Sequence, residues 1–569
     1  MRKLLKYLSS YKKECVLAPL FKMLEAIFEL FVPLVVAAII DRGIGGSDRA
    51  FIIRNAFIMV CLGLVGLISA VSAQYMAAKA ATGFAAELRH DLFKHIMSLS
   101  HKNIDELGTS TMITRMTGDI NQAQTGVNMF LRLFLRSPFI VFGAMIMAFT
   151  INVREAMIFL VVIIILFATV GGIMYLNIPL LKRVQAGLDR ITLLTRENLT
   201  GARVIRAFTM EDKEREGFTS AADSLFDGQI RAGHLSSALN PLTFVLINFA
   251  IILLIYTGAL KVDGGILSKG EIIALYNYMS QILVELIKLA NLIVLLNKAI
   301  ASGDRIADVF EIVPDIQDGT AKEESFGDDT VVAFDHVCFK YNESGDEALS
   351  DIDFSVKKGE TIGIIGGTGS GKSSVVNLIP RFYDVTEGSV SVGGKDVRKQ
   401  DIGSLRRRIG LVPQKAVLFK GTVADNLRWG NEDALDEELR EAVKLAVCEE
   451  VVESKGGLDG FIEQNGSNLS GGQRQRLTIA RALVRKPEIL ILDDSSSALD
   501  YATDLKLRRN IAGISYNPTV FIVSQRTSSV RNADRIIVLE DGCMVGYGKH
   551  DDLLESCSVY REIHDSNNA

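Results

Sequence analysis

The sequence predicts a multidomain membrane protein, in which a six-helix, all-α transmembrane domain precedes an α/β P-loop nucleotide-binding domain. Three observations carry this. Long apolar runs with few charges fill the first half of the 569 residues, whereas short strand-like and helix-like runs alternate in the second. One stretch, Gly366-Gly367-Thr368-Gly369-Ser370-Gly371-Lys372-Ser373, reads G-x-x-x-x-G-K-[ST]. It lies between an apolar, strand-like Thr361–Ile365 and a helix-like Ser374–Ile379, the context this phosphate-binding motif requires.

Composition sets the bounds. The chain is too long for one ordinary domain. Hydrophobic residues make up 48%, with a single Trp. A net charge of −5 is modest and argues against a nucleic-acid partner. Cys15, Cys61, Cys338, Cys448, Cys543 and Cys557 form no C-x-x-C pair, so reduced structural thiols are expected rather than zinc or a disulfide framework. The basic start (Arg2, Lys3, Lys6, Lys12, Lys13) leads into an apolar run without a small-residue cleavage signal, so no cleavable signal peptide is expected.

A bilayer core needs about 20 apolar residues per helix. Six stretches come close: Val16–Ile40, Phe51–Ala73, Met129–Thr150, Ala156–Ile178, Leu239–Leu260 and Ile272–Val294. Lys and Arg concentrate in the N-terminal segment and in the two long segments after the second and fourth spans. The loops Asp41–Ala50, Ile151–Glu155 and Lys261–Gly270 are short and carry few positive charges. The positive-inside rule then puts the N-terminus, both long segments and the second half of the chain in the cytoplasm. Helical continuations are expected over Ala80–Leu99 and Leu180–Asn198, with tips at His101–Leu107 and Gly201–Phe208. Ionisable groups fall within the first and last spans: Lys22, Glu25, Glu29, Glu285 and Lys288. They suit either substrate contact or intrahelical pairing, a polar groove at the leaflet edge or a structural contact.

The predicted membrane domain covers residues 1–312, a polar linker 313–330 and the nucleotide-binding domain 331–569. After the phosphate loop, Leu411-Val412-Pro413-Gln414 places an amide beyond a strand. Asn468-Leu469-Ser470-Gly471-Gly472-Gln473 opens a helix and is a second candidate anion site. The strand Ile489–Leu492 ends in Asp493 and Asp494, followed by Ser497-Ala498-Leu499-Asp500. The strand Thr519–Val523 runs into Ser524-Gln525-Arg526. In the phosphate loop, backbone N–H groups and Lys372 suit the phosphates, while Ser373 and Asp493 suit Mg²⁺. Asp494 is placed to orient or deprotonate an attacking water. One phosphate loop and a separate signature turn suggest two half-sites completed by another copy.

Taken together, the chain resembles a half-transporter of the ATP-binding cassette (ABC) exporter type, and its Leu-Ser-Gly-Gly-Gln turn is the most specific mark of that likeness. The resemblance covers nearly all residues. It implies ATP and Mg²⁺ as cofactors, with the phosphates held by Gly366–Ser373 and Ser374, and the metal by Ser373, Gln414 and Asp493. It further implies that Tyr341 stacks on adenine and that Gln414 also meets the membrane domain. Ser470, Gly471, Gly472 and Gln473 would face nucleotide held by a partner subunit, and Asp500 would join the two sites. The helical tips would be coupling helices.

Two positions depart from the family pattern. Asp494 stands where Glu is usual, and Gln525 where His is usual. Asp shortens the reach of the carboxylate by about 1.5 Å, and a displacement of about 1 Å can cost on the order of 100-fold in rate. Gln keeps hydrogen bonding but carries neither a proton nor a positive charge. Gln464-Asn465-Gly466 also replaces a common Glu-Arg-Gly ahead of the signature turn. The chain thus resembles the degenerate-site subunit of a heterodimeric bacterial multidrug exporter. The expected partner is a different half-transporter with catalytic Glu and switch His, against the alternative of a slow homodimer. The expected activity is export of hydrophobic or amphipathic compounds from the cytoplasm or inner leaflet, in a multi-pass cytoplasmic-membrane protein that meets membrane lipids. A lipid or peptide flippase, and an ATP-gated regulatory or channel-like protein, stand as alternatives.

Overall fold

The computed structural model describes residues 1–320, 329–342 and 345–568. The middle of the predicted linker, residues 321–328, lies outside the described residues. The chain forms two compact units. One comprises Met1–Met97 and Ser110–Glu311, the other Ser98–Thr109 and Ile312–Ala569.

The first unit is helical. A 3₁₀ segment, Arg2–Tyr11, leads into α1 (Lys12–Ala38), followed by α2 (Arg49–Ser98), α3 (His101–Leu107), α4 (Thr109–Thr114), α5 (Ile120–Leu133), α6 (Arg136–Ile151), α7 (Val153–Thr200), α8 (Ala202–Ala207), α9 (Glu211–Asp263) and α10 (Lys269–Glu311). Of these, α3 belongs to the second unit. Six helical stretches are long and apolar enough to cross a membrane: Lys3–Ile44, Arg49–Ser98, Thr109–Ile151, Val153–Thr200, Glu211–Asp263 and Lys269–Glu311. They outrun the predicted spans because each apolar run continues as helix into charged turns. The 50 residues of α2 extend about 75 Å at 1.5 Å per residue, over twice the ~30 Å hydrocarbon thickness. Small residues let helices approach closely: a Cβ at Gly126 on α5 would fall 2.2 Å from the Ala299 methyl on α10.

The ionisable residues of the spans pair with one another and with a residue the apolar pattern concealed. Arg136, in the predicted third span, is buried. Its guanidinium donates to Glu285 (2.5 Å) and to Glu29 (2.7 Å), which joins α6 to α10 and α1. The Ser137 hydroxyl donates to Glu285 at 2.7 Å. Lys22–Glu25 and Lys288–Glu285 close as i,i+3 pairs at 2.6 and 2.8 Å.

In the second unit, the strands are β1 (Thr330–Phe339), β2 (Leu349–Lys357), β3 (Thr361–Gly366), β4 (Glu387–Val392), β5 (Lys395–Asp396), β6 (Ile409–Val412), β7 (Gly421–Thr422), β8 (Phe461–Ile462), β9 (Ile489–Asp493), β10 (Thr519–Val523), β11 (Arg535–Glu540) and β12 (Cys543–Gly548). One sheet runs β12-β11-β3-β10-β9-β6, parallel except for β12. Every residue of β9 is buried, as a parallel sheet covered on both faces demands. An antiparallel sheet, β2-β1-β4-β5, packs beside it.

The two predicted tips fare differently. Residues 98–109 fold with the second unit. Ser100 caps α3 through the Asn103 amide N–H and forms a capping box. The His101 ring stacks on Phe382 at 4.4 Å, and the Tyr383 hydroxyl donates to Asp105 at 2.9 Å. By contrast, α8 buries no side chain, and Phe208 after it is 72% exposed.

Candidate functional site

Parallel α/β sheets place ligand sites beyond the carboxyl ends of their strands. Here the ends of β3, β10, β9 and β6 border one pocket of about 330 Å³. It is lined by Tyr341, Ala348, Thr368, Gly369, Gly371, Lys372, Ser373, Ser374, Gln414, Asp493, Asp494, Val523, Ser524 and Gln525.

The phosphate loop takes a shape only glycine permits at two points, with φ +85° at Gly369 and +93° at Gly371. A Cβ at Gly371 would sit 2.7 Å from Leu349 and 2.8 Å from the Ala348 carbonyl. Behind the loop, a Cβ at Gly366 would meet the Leu539 carbonyl at 2.2 Å and the Ser370 hydroxyl at 2.5 Å. The buried Lys372 ammonium donates to the carbonyls of Gly366 (3.0 Å) and Gly367 (2.5 Å), which fixes it over the loop. Burial lowers its pKa, and the charges of Asp494 and Asp493 oppose that.

Across the pocket, the Ser373 hydroxyl donates to Asp493 at 3.1 Å. Burial raises the Asp493 pKa; the Ser373 hydrogen bond opposes this and the Asp494 charge reinforces it. A hydroxyl and a carboxylate this close form a hard-oxygen donor set of the kind Mg²⁺ takes alongside phosphate oxygens. Gln414, just past β6, adds an amide oxygen on the same wall.

Asp494 has a left-handed backbone (φ +44°), and its N–H donates to the Val523 carbonyl at 3.0 Å. That bond ties the carboxylate beside the strand end that carries Gln525. The pocket therefore contains both atypical residues. Tyr341 is partly exposed at the mouth, its hydroxyl 2.9 Å from that of Ser374 and its ring edge-on to Phe339 and Tyr383.

The signature turn is not part of this pocket. Ser470 caps the helix Gly471–Val484, accepting from the Gln473 N–H at 3.3 Å, while Gln473 Oε1 accepts from the Ser470 N–H at 2.9 Å. A Cβ at Gly472 would lie 2.8 Å from the Ala498 carbonyl, so the turn rests on the loop that ends in Asp500. Asp500 caps the next helix through Thr503, and hydrogen bonds from Thr503 hold its pKa down. Gly366 and Ser370 are buried behind the loop and Gly367 is exposed, so these three do not line the pocket, and Ser470, Gly471, Gly472, Gln473 and Asp500 stand apart from it. Sequence reasoning missed Ala348 and Ser524 as lining residues. Ala348 has no local signal, since it reaches the site from the start of β2. Ser524 lies next to Gln525, and its N–H donates to the Ile364 carbonyl of β3 at 3.0 Å.

Residues 15–286 match the family model described as ABC transporter transmembrane region, and residues 349–497 match the one described as ABC transporter. The chain is 35% identical over 568 residues to the uncharacterized ABC transporter ATP-binding protein YfiB of Bacillus subtilis, covering 100% of this chain and 98% of that protein. It is 28% identical over 569 residues to an ATP-dependent lipid A-core flippase of Yersinia pestis, covering 99% and 97%. The fold is similar to that of a bacterial Atm1-family ABC exporter solved with ATP bound, with a TM-score of 0.81, 22% identity and 98% of each chain covered.

Proposed function

The chain belongs to the ABC transporters, as a half-transporter with the exporter fold, and from that premise we propose that it is the degenerate-site subunit of a heterodimeric exporter. Its ATP-binding unit makes it an ATPase coupled to transport. The finer reading is ours. The observation that carries it is the convergence of Asp494 and Gln525 on the pocket that also contains Lys372, Ser373 and Asp493. This chain's loop, with Ser374 and Tyr341, binds ATP well, while its short carboxylate and uncharged amide hydrolyse it slowly.

Mg²⁺ bound by Ser373, Asp493 and Gln414 would neutralise charge on the β- and γ-phosphates. Lys372 orients those phosphates, and the loop N–H groups hold their oxygens. Ser470, Gly471, Gly472 and Gln473 serve the partner subunit's site, where a Glu and a His supply the faster turnover. Their distance from this chain's own pocket suits that arrangement. Lys and Arg placement supports a multi-pass protein of the cytoplasmic membrane, with N-terminus and nucleotide-binding unit cytoplasmic. Hydrophobic or amphipathic compounds are the substrate class. The lipid A-core flippase relative favours lipid movement as the second reading.

Reconstitution in vesicles tests this. The chain alone should bind ATP without brisk, transport-coupled hydrolysis, and adding a half-transporter with Glu and His at the two positions should restore both. Brisk coupled hydrolysis by the chain alone would overturn the heterodimer, and ATP-gated ion conductance without uphill transport would overturn the pump.

A further inference from the structure

The 3₁₀ segment Arg2–Tyr11 is amphipathic. Leu4 and Tyr7 are buried in the first unit, packed with Phe84 and Leu88 of α2. Tyr11 lies so close to Gly83 that a Cβ there would fall 2.1 Å from its ring. On the other side, Leu5 and Leu8 form one wall of an open groove of about 740 Å³. Val16 of α1, Phe130 of α5 and Ile300 of α10 form the others. Its lining is apolar apart from Ser9 and Lys12.

The groove lies at one level of the membrane unit. Val16 opens the first predicted span, Phe130 opens the third, and Ile300 follows the last. That is where hydrocarbon meets headgroups on the side of the N-terminus, whichever compartment that side faces. Most nearby charges are occupied. The N-terminal ammonium pairs with Asp304 at 2.5 Å, Lys3 with Glu311 at 2.5 Å, and Lys79 with Glu14 at 2.7 Å. Lys6 lies 4.8 Å from the centre of the Tyr7 ring. Lys12 and Lys13 are exposed and, among the described residues, form no ion pair.

We propose that this groove binds an acyl chain of an anionic phospholipid, with Lys12 and Lys13 holding its headgroup phosphate. A groove lined mainly by apolar side chains suits hydrocarbon, and its few polar groups offer a peptide little for its N–H and C=O groups. Basic residues at an interfacial amphipathic segment attract anionic headgroups, and their aliphatic stems bridge the apolar surface below.

The test uses the full chain with a Phe130→Trp reporter in a Trp429→Phe background, in micelles titrated with phosphatidylglycerol or phosphatidylcholine brominated on the acyl chain. Phosphatidylglycerol should quench the introduced indole at a mole fraction roughly 30-fold lower, the two lysines together adding about 2 kcal/mol. Lys12→Ala with Lys13→Ala should bring the two lipids to parity. Val16→Phe should fill the groove and remove quenching by both, and Ile300→Phe repeats the test from another wall should the first variant fail to fold. Equal quenching by the two lipids, a preference that survives loss of both lysines, or quenching that survives both filling variants would overturn the proposal. So would cross-linking of two copies through Val16→Cys with no lipid quenching, which would assign the groove to a second chain.

Discussion

The Ser373 hydroxyl and the Asp493 carboxylate meet at 3.1 Å, which ties the phosphate loop after β3 to the end of β9 across the intervening β10. Residues 120 positions apart thus form one binding wall, and several measurable consequences follow from its construction.

Lys372→Ala should weaken ATP binding 10- to 100-fold, since a charged hydrogen bond contributes about 1.5–3 kcal/mol. Gly371→Ala should do at least as much, because φ is +93° and the new methyl would meet the Ala348 carbonyl at 2.8 Å. Equilibrium binding of a fluorescent ATP analogue, with circular dichroism as the folding control, checks both.

The docking of residues 98–109 should loosen in acid. Burial and the nearby Arg406 charge lower the His101 pKa, and Asp105 opposes them weakly. Arg406 also lies 5.1 Å from the Phe382 ring on which His101 stacks. Because the folded pKa lies below the ordinary 6.5, the contribution of neutral His101 is complete above that value and is lost as pH falls through the folded pKa. Amide exchange over residues 98–109 should therefore rise between pH 7 and 5 relative to the rest of the second unit, and His101→Phe should abolish that difference.

The same segment depends on the hydrogen bond from Tyr383 to Asp105. Tyr383→Phe should cost about 1 kcal/mol locally, seen as roughly fivefold faster exchange in α3 with ATP binding preserved.

These outcomes also show what was legible from sequence. The phosphate loop, the β9 carboxylates and the Gln525 strand end were readable because each follows a short apolar strand, and the sheet order then brings them together. The six spans were readable from apolar length, and the helical extensions of the second and fourth from their mixed charge and few breakers, as α2 to Ser98 and α7 to Thr200 show. Arg136 was hidden because a single charge hardly alters the hydropathy of its run, and its partners lie 107 and 149 residues away. The contacts of His101 and Asp105 with Phe382 and Tyr383 were equally unreadable, since no local pattern links segments some 280 residues apart.

Arg136→Ala should destabilise the membrane unit by about 1–3 kcal/mol, because buried Glu285 would lose its guanidinium while keeping Lys288 and Ser137, and half-exposed Glu29 would lose its cation. Arg136→Lys should recover only part of this, since an ammonium cannot span both carboxylates as a guanidinium fork does. Thermal unfolding of the detergent-solubilised chain gives the order wild type, then Lys, then Ala.

We propose that this chain's own nucleotide site binds ATP and turns it over slowly because of Asp494 and Gln525. The most direct measurement is steady-state ATP hydrolysis by the purified chain alone, wild type against Asp494→Glu/Gln525→His, with ATP affinity measured in parallel. Affinity should be unchanged and the rate raised about 10- to 100-fold by the double substitution. Fast hydrolysis by the wild-type chain, left unchanged or slowed by the double substitution, would contradict it.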